Sequence, residues 1–587
     1  MTQPLLNIEP VGFHPNFANS FTLCASWALG TTRAMVEVSQ VDRFKFRPGQ
    51  AEGVRKIKAA FEHGAKTVFL DAPVGSGKSL INLLVARDML GAYISTPQVI
   101  LVNQYGSDTQ EGGKFAGLAE TLYGRRNYPC TYLRSLPEED GGRPYATAAG
   151  APCIYLAGWP NACPHFSECL YYLARQAAQA HSRTVTTMAY LLLGIRSGLD
   201  RPNSGWRERP LLVIDEAHGL AEDLVNFYQA ELGPHTLPGF RKKWLETPAD
   251  LRFRVLESLP PYIDRLKEVL ETLQATREFT KKVRERLERL DSAVKSAEDV
   301  LYKLKTGTVE WVHTYDSRTS KHTWRPLAVR SLVDDFWGRF NRVLLSSATF
   351  FGIESLVRDA DLPTPVERVV VPDCFPPERA PIRLLSAARL VYRTDSLEIE
   401  RAADAVAAVA QAHHSERGII HANSYHLANA IRKQLPPQVR RRLTSHDPSN
   451  RGRRYDRWRA DPAQDAILLA VAMNQGIDLL GDLARWQVIV KVPFPNLGDT
   501  WVRRRMEQKD GQSWYSGRAM IQVLQAAGRI MRSADDRGTT YVIDTQLDGL
   551  IDSGWFDLPK WFRQRVIEGR RLNQSLPGKF GDYATRA

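Results

Sequence analysis

The chain has 587 residues, long enough for about three to five domains of ~100–200 residues each, and its 43% hydrophobic and 24% charged content is that of a globular protein. No apolar run reaches the ~18 residues that a membrane span requires, and the start MTQPLLNIEPVGFHPNF lacks the basic stretch and apolar core of a secretory signal. The 78 Lys+Arg against 65 Asp+Glu leave a net charge of +13, which fits either a polyanionic partner or a basic surface that is merely well solvated.

Six cysteines and no export signal place the chain in a reducing cytoplasm, where stable disulfides are rare and where no membrane partner is expected. Residues 1–43 come first, with FTLCASWALG and RAMVEVSQV alternating in the manner of a small β-hairpin; they form an accessory segment. KTVFLDAPVGSGKSL follows at 66–80. Val68, Phe69 and Leu70 predict a short buried strand, and LINLLVARDML predicts a helix. Between them, Ala72 to Ser79 matches the phosphate-binding pattern GxxxxGK[ST], with Ala72 in place of the first glycine. Gly75 and Gly77 let the backbone fold tightly enough to aim N–H groups at phosphate oxygens, with Ser76 between them in the same nucleotide-binding loop. Lys78 is placed to neutralise the β- and γ-phosphates of ATP, and the Ser79 hydroxyl to ligate Mg²⁺.

Cys130, Cys153, Cys163 and Cys169 then fall within residues 130 to 169. A disulfide pair, a zinc site and an iron–sulfur cluster compete for them. The reducing compartment disfavours disulfides, and the gaps of 22, 9 and 5 residues contain no CxxC pair, which weakens zinc without removing it. Next, LLVIDEAHGL at 211–220 is an apolar strand ending in two acids. Asp215 is expected to hold Mg²⁺ through water, and Glu216 to orient or deprotonate the attacking water. These elements point to an NTP hydrolase.

In 226–308, Ile263, Leu266, Leu270 and Leu273 share one helical face, and Val283, Leu287, Leu290 and Val294 share another, predicting a helical hairpin. The proline-rich VPDCFPPERAP reads as a linker before an α/β unit beginning near PIRLLSA, and the tail from 561 reads as loosely ordered.

DEAH (Asp215 to His218) also resembles the signature of superfamily 2 helicases, and further elements fall in that superfamily's order: RPGQ at 47–50, ISTPQ around Thr96, SSATF at 346–350, NQGIDLLG at 474–481 and QAAGRIMR at 525–532. The two insertions before and after DEAH resemble the XPD/DinG-like branch, over about residues 44 to 560. The resemblance implies an α/β fold with two RecA-like helicase cores. The first core would comprise 44–125, 183–225 and 309–375, interrupted by a cysteine-bearing insertion (126–182) and a helical arch (226–308). The second core would span 376–560, with 561–587 as the tail.

The same resemblance implies that Gln50 reads adenine, that Gly476 and Asp478 touch nucleotide from the second core, and that His218, Gln525, Arg529 and Arg532 complete the catalytic set, the arginines as fingers on the γ-phosphate. It implies a 4Fe–4S cluster on Cys130, Cys153, Cys163 and Cys169, and 5′-to-3′ unwinding of single-stranded and forked DNA. Thr96, Gln104, Ser424 and Tyr425 are the implied contacts to DNA backbone. Trp514 and Tyr515 are candidates either for stacking bases or for core packing. Gln475 departs from the glutamate many relatives carry before Gly-Ile-Asp. The compact length and N-terminal addition resemble DinG-like helicases encoded with type IV CRISPR systems, which implies a CRISPR RNA-guided effector complex as a partner.

Overall fold

The computed structural model describes residues 46–138, 142–154, 163–196, 206–234, 251–275, 280–305, 309–373, 375–471, 481–531 and 536–573. The predicted hairpin within 1–43, Gln475, Gly476, Asp478, Arg532 and the end of the tail lie outside them.

The apolar run before the phosphate loop is a fully buried strand, Thr67–Asp71, as is the run before DEAH, Leu211–Asp215. Both belong to a seven-stranded, wholly parallel sheet. Its order is Val366–Val370, Thr67–Asp71, Arg342–Ser347, Leu211–Asp215, Ala92–Thr96, Arg183–Thr187 and Glu120–Thr121. Parallel strands are covered on both faces, so they read as unbroken apolar runs instead of alternating ones. The register places Asp71 beside Ser347 and Asp215 beside Ser346. The ends of the phosphate-loop, DEAH and Ser-Ala-Thr strands therefore meet at one edge of the sheet, where open α/β sheets take their ligands.

A second parallel sheet has six strands in the order Ile382–Ala388, Thr539–Asp544, Trp486–Ile489, Gly418–Ala422, Ile467–Val471 and Leu443–Ser445. The expected α/β fold with two parallel cores is present.

The helical hairpin of the second insertion is also present, as Leu251–Ala275 and Lys281–Lys305. Val255, Leu259 and Ile263 pack against Val294, Ala297, Val300 and Leu304. Leu287 sits farther along with Leu270, Leu273 and Val283, and there the hairpin also meets Ile154 of the cysteine insertion. Arg143–Glu288 and the bonds from Lys281 to Glu138 O and Lys295 to Ile154 O fasten the two insertions together.

Two boundaries differ from the sequence reading. The tail read as loosely ordered from 561 begins instead with the helix Lys560–Asn573, whose Trp561, Phe562 and Val566 pack into the second core with Ile382, Leu384 and Val542. Trp311–Asp316 and Lys321–Pro326, read as part of the first core, form an antiparallel sheet with Ala230–Leu232 beside the helical hairpin. Burial alternates residue by residue along Lys321–Pro326. That period of two marks a half-covered antiparallel strand, unlike the core strands buried on both faces.

Candidate active site

The phosphate loop turns on two glycines. Gly75 and Gly77 have φ of 81° and 80°, in the left-handed region that side chains resist. A Cβ on Gly77 would also lie 2.0 Å from Gln50 Nε2. Gln50, the implied adenine reader, is buried and spends its amide on the loop: Nε2 donates to Ser76 O at 2.9 Å and Gly77 O at 3.3 Å, and Oε1 accepts from Arg47 N at 2.7 Å. Ser76 is buried too, its hydroxyl donating to Pro73 O at 2.6 Å. Ala72 is fully buried at the strand end, so no glycine is needed at that position.

Lys78 opens the helix Lys78–Asp88, and its Nζ lies 3.9 Å from Glu216 Oε1. Glu216 has φ 53°, a strained conformation for a residue with a side chain, held at the strand end where the acid faces the lysine. Asp215 is buried; Ser346 Oγ donates to its Oδ1 at 2.9 Å, and Tyr105 OH to its Oδ2 at 3.0 Å. Burial, then the adjacent Glu216 charge, pushes its carboxyl above the usual range, against the pull of Lys78. The Ser79 side chain lies beside the same Tyr105 phenol. Ser79 and Asp215, expected to hold Mg²⁺, thus both neighbour one tyrosine, and the hydroxyl and carboxylate suit that hard cation.

The second core closes over this edge. His218 Nδ1 is 2.9 Å from Ser347 Oγ, and its Nε2 is hydrogen-bonded to the Gln525 amide. Burial, then the charges of Arg518 and Lys78, pushes the imidazole down to about 3. Arg518 pairs with Glu222 across the same seam. Gly528 stands against the phosphate loop, where a Cβ would lie 3.3 Å from Val74 Cγ2. Arg529 follows directly, and its charge acts on both His218 and His421. Phe351, just past Ser-Ala-Thr, leans into two glycines of the second core, Gly517 and Gly554. A Cβ on Gly554 would lie 2.9 Å from that ring. Trp561 Nε1 donates to Ala348 O at 3.2 Å, so the Ser-Ala-Thr turn is held from both cores.

Comparison with known proteins identifies a helicase C-terminal domain over residues 408–565. Over 616 residues the chain is 23% identical to the ATP-dependent DNA helicase YoaA of Escherichia coli (strain K12), covering 86% of this chain and 92% of that protein. A segment is 29% identical over 124 residues to the Fanconi anemia group J protein homolog of Gallus gallus, covering 19% of this chain. The chain spans only 10% of that relative's length. Among solved structures, an XPD helicase superposes with a TM-score of 0.58 at 15% identity, over 90% of this chain and 98% of the other. The chain has the XPD helicase fold.

Within this fold, the implied DNA contacts divide. Gln104 is exposed on the helix Val99–Thr109. Ser424 is exposed and caps the helix Tyr425–Gln434, accepting from Leu427 N at 3.2 Å. Tyr425 is half-buried with its hydroxyl 3.3 Å from His446 Nδ1. Thr96, by contrast, is fully buried, its hydroxyl turned onto Gln98 O at 3.0 Å, so it presents nothing to a strand in this conformation.

Trp514 is a core residue. It is 7% exposed, packs edge-on against Trp501 at 5.7 Å, and carries the Arg505 guanidinium 5.2 Å from its ring centre. Its ring has no free face for a base, and the stacking alternative is set aside. Tyr515 is stacked on Phe494 at 5.2 Å and donates to Pro495 O at 3.0 Å, so its ring and hydroxyl are both engaged inside the protein.

In the cysteine-bearing insertion, Cys130, Cys153, Cys163 and Cys169 line one cavity with Arg125, Tyr171 and Tyr172. All four are free thiols. Arg125 Nη1 donates to Cys153 Sγ at 3.3 Å, and its guanidinium lies 4.3 Å over the Tyr171 ring. Burial raises the Cys130 and Cys163 thiols above their ordinary value. Among the described residues no three His, Cys, Asp or Glu side chains are drawn together closely enough to hold a metal ion as they stand. Four thiols lining a single cavity nevertheless form a donor set suited to a soft metal group.

Sequence reasoning missed Tyr105, Asn82, Arg518 and Phe351. Only Asn82 left a signal, as the one polar side chain in the helical run LINLLVA.

Proposed function

We propose that this protein is an ATP-dependent DNA helicase that tracks 5′ to 3′ along single-stranded DNA and unwinds forked duplexes. The observation that carries the reading is the convergence at one sheet edge of Lys78, Glu216 and the doubly bonded Asp215, faced by Gln525 and the Arg529 turn of a second core. Such a cleft performs phosphoryl transfer by position and charge.

Lys78 neutralises the terminal phosphates of ATP. Glu216, opposite it, orients and deprotonates the attacking water, and Arg529 with Arg532 meets the charge that develops on the γ-phosphate. Mg²⁺, when bound by Ser79 and Asp215, supplies neutralisation of the β- and γ-oxygens. His218, Gln525, Gly476 and Asp478 join nucleotide state to core closure, and hydrolysis releases that closure. Phe351 in its glycine socket transmits the movement to the second core.

Gln104, Ser424 and Tyr425 contact the DNA backbone, which carries no sequence information. The four cysteines hold a 4Fe–4S cluster that braces the first insertion beside the DNA path. The loading partner is a CRISPR RNA-guided effector complex; the compact layout supports this.

Forked duplexes with only a 5′ or only a 3′ tail test the reading. Unwinding of the 5′-tailed fork with DNA-stimulated ATP hydrolysis is the expected result. DNA binding without stimulated hydrolysis would leave a binding module in its place.

A further inference from the structure

From Leu80 to Ala86 the phosphate-loop helix is buried residue after residue, and within that stretch Asn82 is fully buried among aliphatic neighbours. Its amide nitrogen donates to two hydroxyls, Tyr105 OH at 3.1 Å and Ser346 Oγ at 2.9 Å. An NH₂ group has two protons, and both are used here. Each hydroxyl has one proton of its own. Having accepted from Asn82, each gives that proton to a different oxygen of Asp215: Tyr105 to Oδ2 at 3.0 Å, Ser346 to Oδ1 at 2.9 Å. The four side chains close a ring in which Asn82 sets the direction of every bond.

Amide orientation follows from the network around it. As drawn, Asn82 leaves one buried acceptor, Oδ1, without a partner. The reverse orientation would orphan two N–H donors, and would turn both hydroxyls away from a buried carboxylate. The arrangement that leaves a single lone acceptor is the less costly one.

We propose that Asn82 is a positioning residue for the metal-binding carboxylate. By donating to both hydroxyls it obliges them to hold both oxygens of Asp215, which aims the remaining lone pairs of that carboxylate at the Mg²⁺ position. This inference rests on the nucleotide-hydrolase reading of the cleft.

Asn82→Asp keeps the shape of the side chain but accepts where asparagine donates, so both hydroxyls turn to it and away from Asp215. The decisive measurement is Mn²⁺ affinity, by electron paramagnetic resonance, of the full chain saturated with a non-hydrolysable ATP analogue. Metal-free analogue affinity and the thermal midpoint are recorded beside it. N82D is expected to weaken Mn²⁺ binding by ~10-fold or more, the usual scale for losing an outer hydrogen-bond partner of a metal ligand. Metal-free analogue affinity should stay within ~2-fold, since Lys78 and the loop backbone hold the phosphates. The added negative charge alone would tighten cation binding, so a loss reports orientation. Tyr105→Phe removes one donor and should cost less, and the double variant should bind no more weakly than N82D, because in N82D the tyrosine has already turned away.

Unchanged or tighter Mn²⁺ binding in N82D, or additive losses in the double variant, would overturn the proposal. If N82D does not fold, Y105F carries the test alone, and unchanged Mn²⁺ affinity there overturns it. A wild-type chain that binds no Mn²⁺ with the analogue would overturn the hydrolase reading beneath, a failure distinct from that of the variants.

Discussion

His218, at the end of the DEAH strand, and Gln525, in the helix Gly511–Ala527 of the second core, are hydrogen-bonded to each other across the cleft. With its other nitrogen against Ser347, the histidine ties the acids of one core to the arginine-bearing turn of the other. A contact made between the two cores is the kind that couples nucleotide state to core position. Gln525→Ala should therefore lower DNA stimulation of ATP hydrolysis by ~5–150-fold, the span of ordinary coupling energies, while ATP binding is retained. Steady-state hydrolysis with and without single-stranded DNA reads this out. Full stimulation in the variant would remove Gln525 from the coupling path.

Lys78 and Glu216 face each other at 3.9 Å and should fail differently. Lys78→Ala removes the fixed positive charge under the phosphates and should abolish hydrolysis and weaken ATP binding, with DNA binding intact. Glu216→Gln keeps the shape and loses the base. ATP should bind normally and turn over ~10²–10⁴-fold more slowly. Single-turnover kinetics separate the two, and a loss under threefold in E216Q would assign the base to another residue.

The parts legible in the sequence were those whose chemistry is local. The phosphate loop and DEAH end buried strands, and parallel strands covered on both faces announce themselves as apolar runs. The Asn82 ring was not legible, because its members lie on four segments and Asn82 bonds to Ser346 over 264 positions. Trp514 was undecidable for a related reason. An aromatic reads alike in a core and on a binding face, and only the packing of Trp501 beside it settles the matter. The strand Lys321–Pro326 alternates, but alternation does not say which sheet a strand will join.

His421 makes acid stability a further test. It lies fully inside the strand Gly418–Ala422, with Nε2 3.2 Å from Gln487 Oε1 and with Nδ1 buried and making no hydrogen bond. Burial, then the Arg529 charge, holds it down to about 4 from its ordinary 6.5. The folded imidazole is neutral, so its contribution is complete above pH 6.5. Below that, the unfolded chain takes a proton that the folded one refuses, and stability is lost as pH falls from 6.5 to about 4. By pH 5 the loss from this one group is about 2 kcal/mol, at 1.36 kcal/mol per pH unit. His322, also held at about 4, adds to the same limb. Denaturant unfolding at pH 7, 6 and 5 should show a steep decline in the wild type and a shallower one in His421→Leu. Parallel declines would mean that His421 is charged inside the fold.

The cysteine cavity gives the last test. Cys130, Cys153, Cys163 and Cys169 line one space, but no three of them yet stand close enough to grip a metal ion, and burial holds two of the thiols protonated. Binding must therefore release thiol protons and draw the loops inward, so cluster assembly and folding of the insertion are linked. Protein purified without oxygen should be brown and carry ~4 iron per chain, as a cubane held by four thiolates requires. Cys163→Ser should bleach it and expose residues 163–180 to proteolysis. It should also loosen the fastening to the helical hairpin at Ile154 and Glu288, because both contacts are made by this insertion. Unwinding should then fall further than ATP hydrolysis, since Lys78 and Asp215 stand on a helix and a strand of the first core and not on the insertion. Colourless protein with one zinc per chain would give the site to zinc. Colourless, metal-free protein that still unwinds at the full rate would leave the four thiols with no role in the reaction.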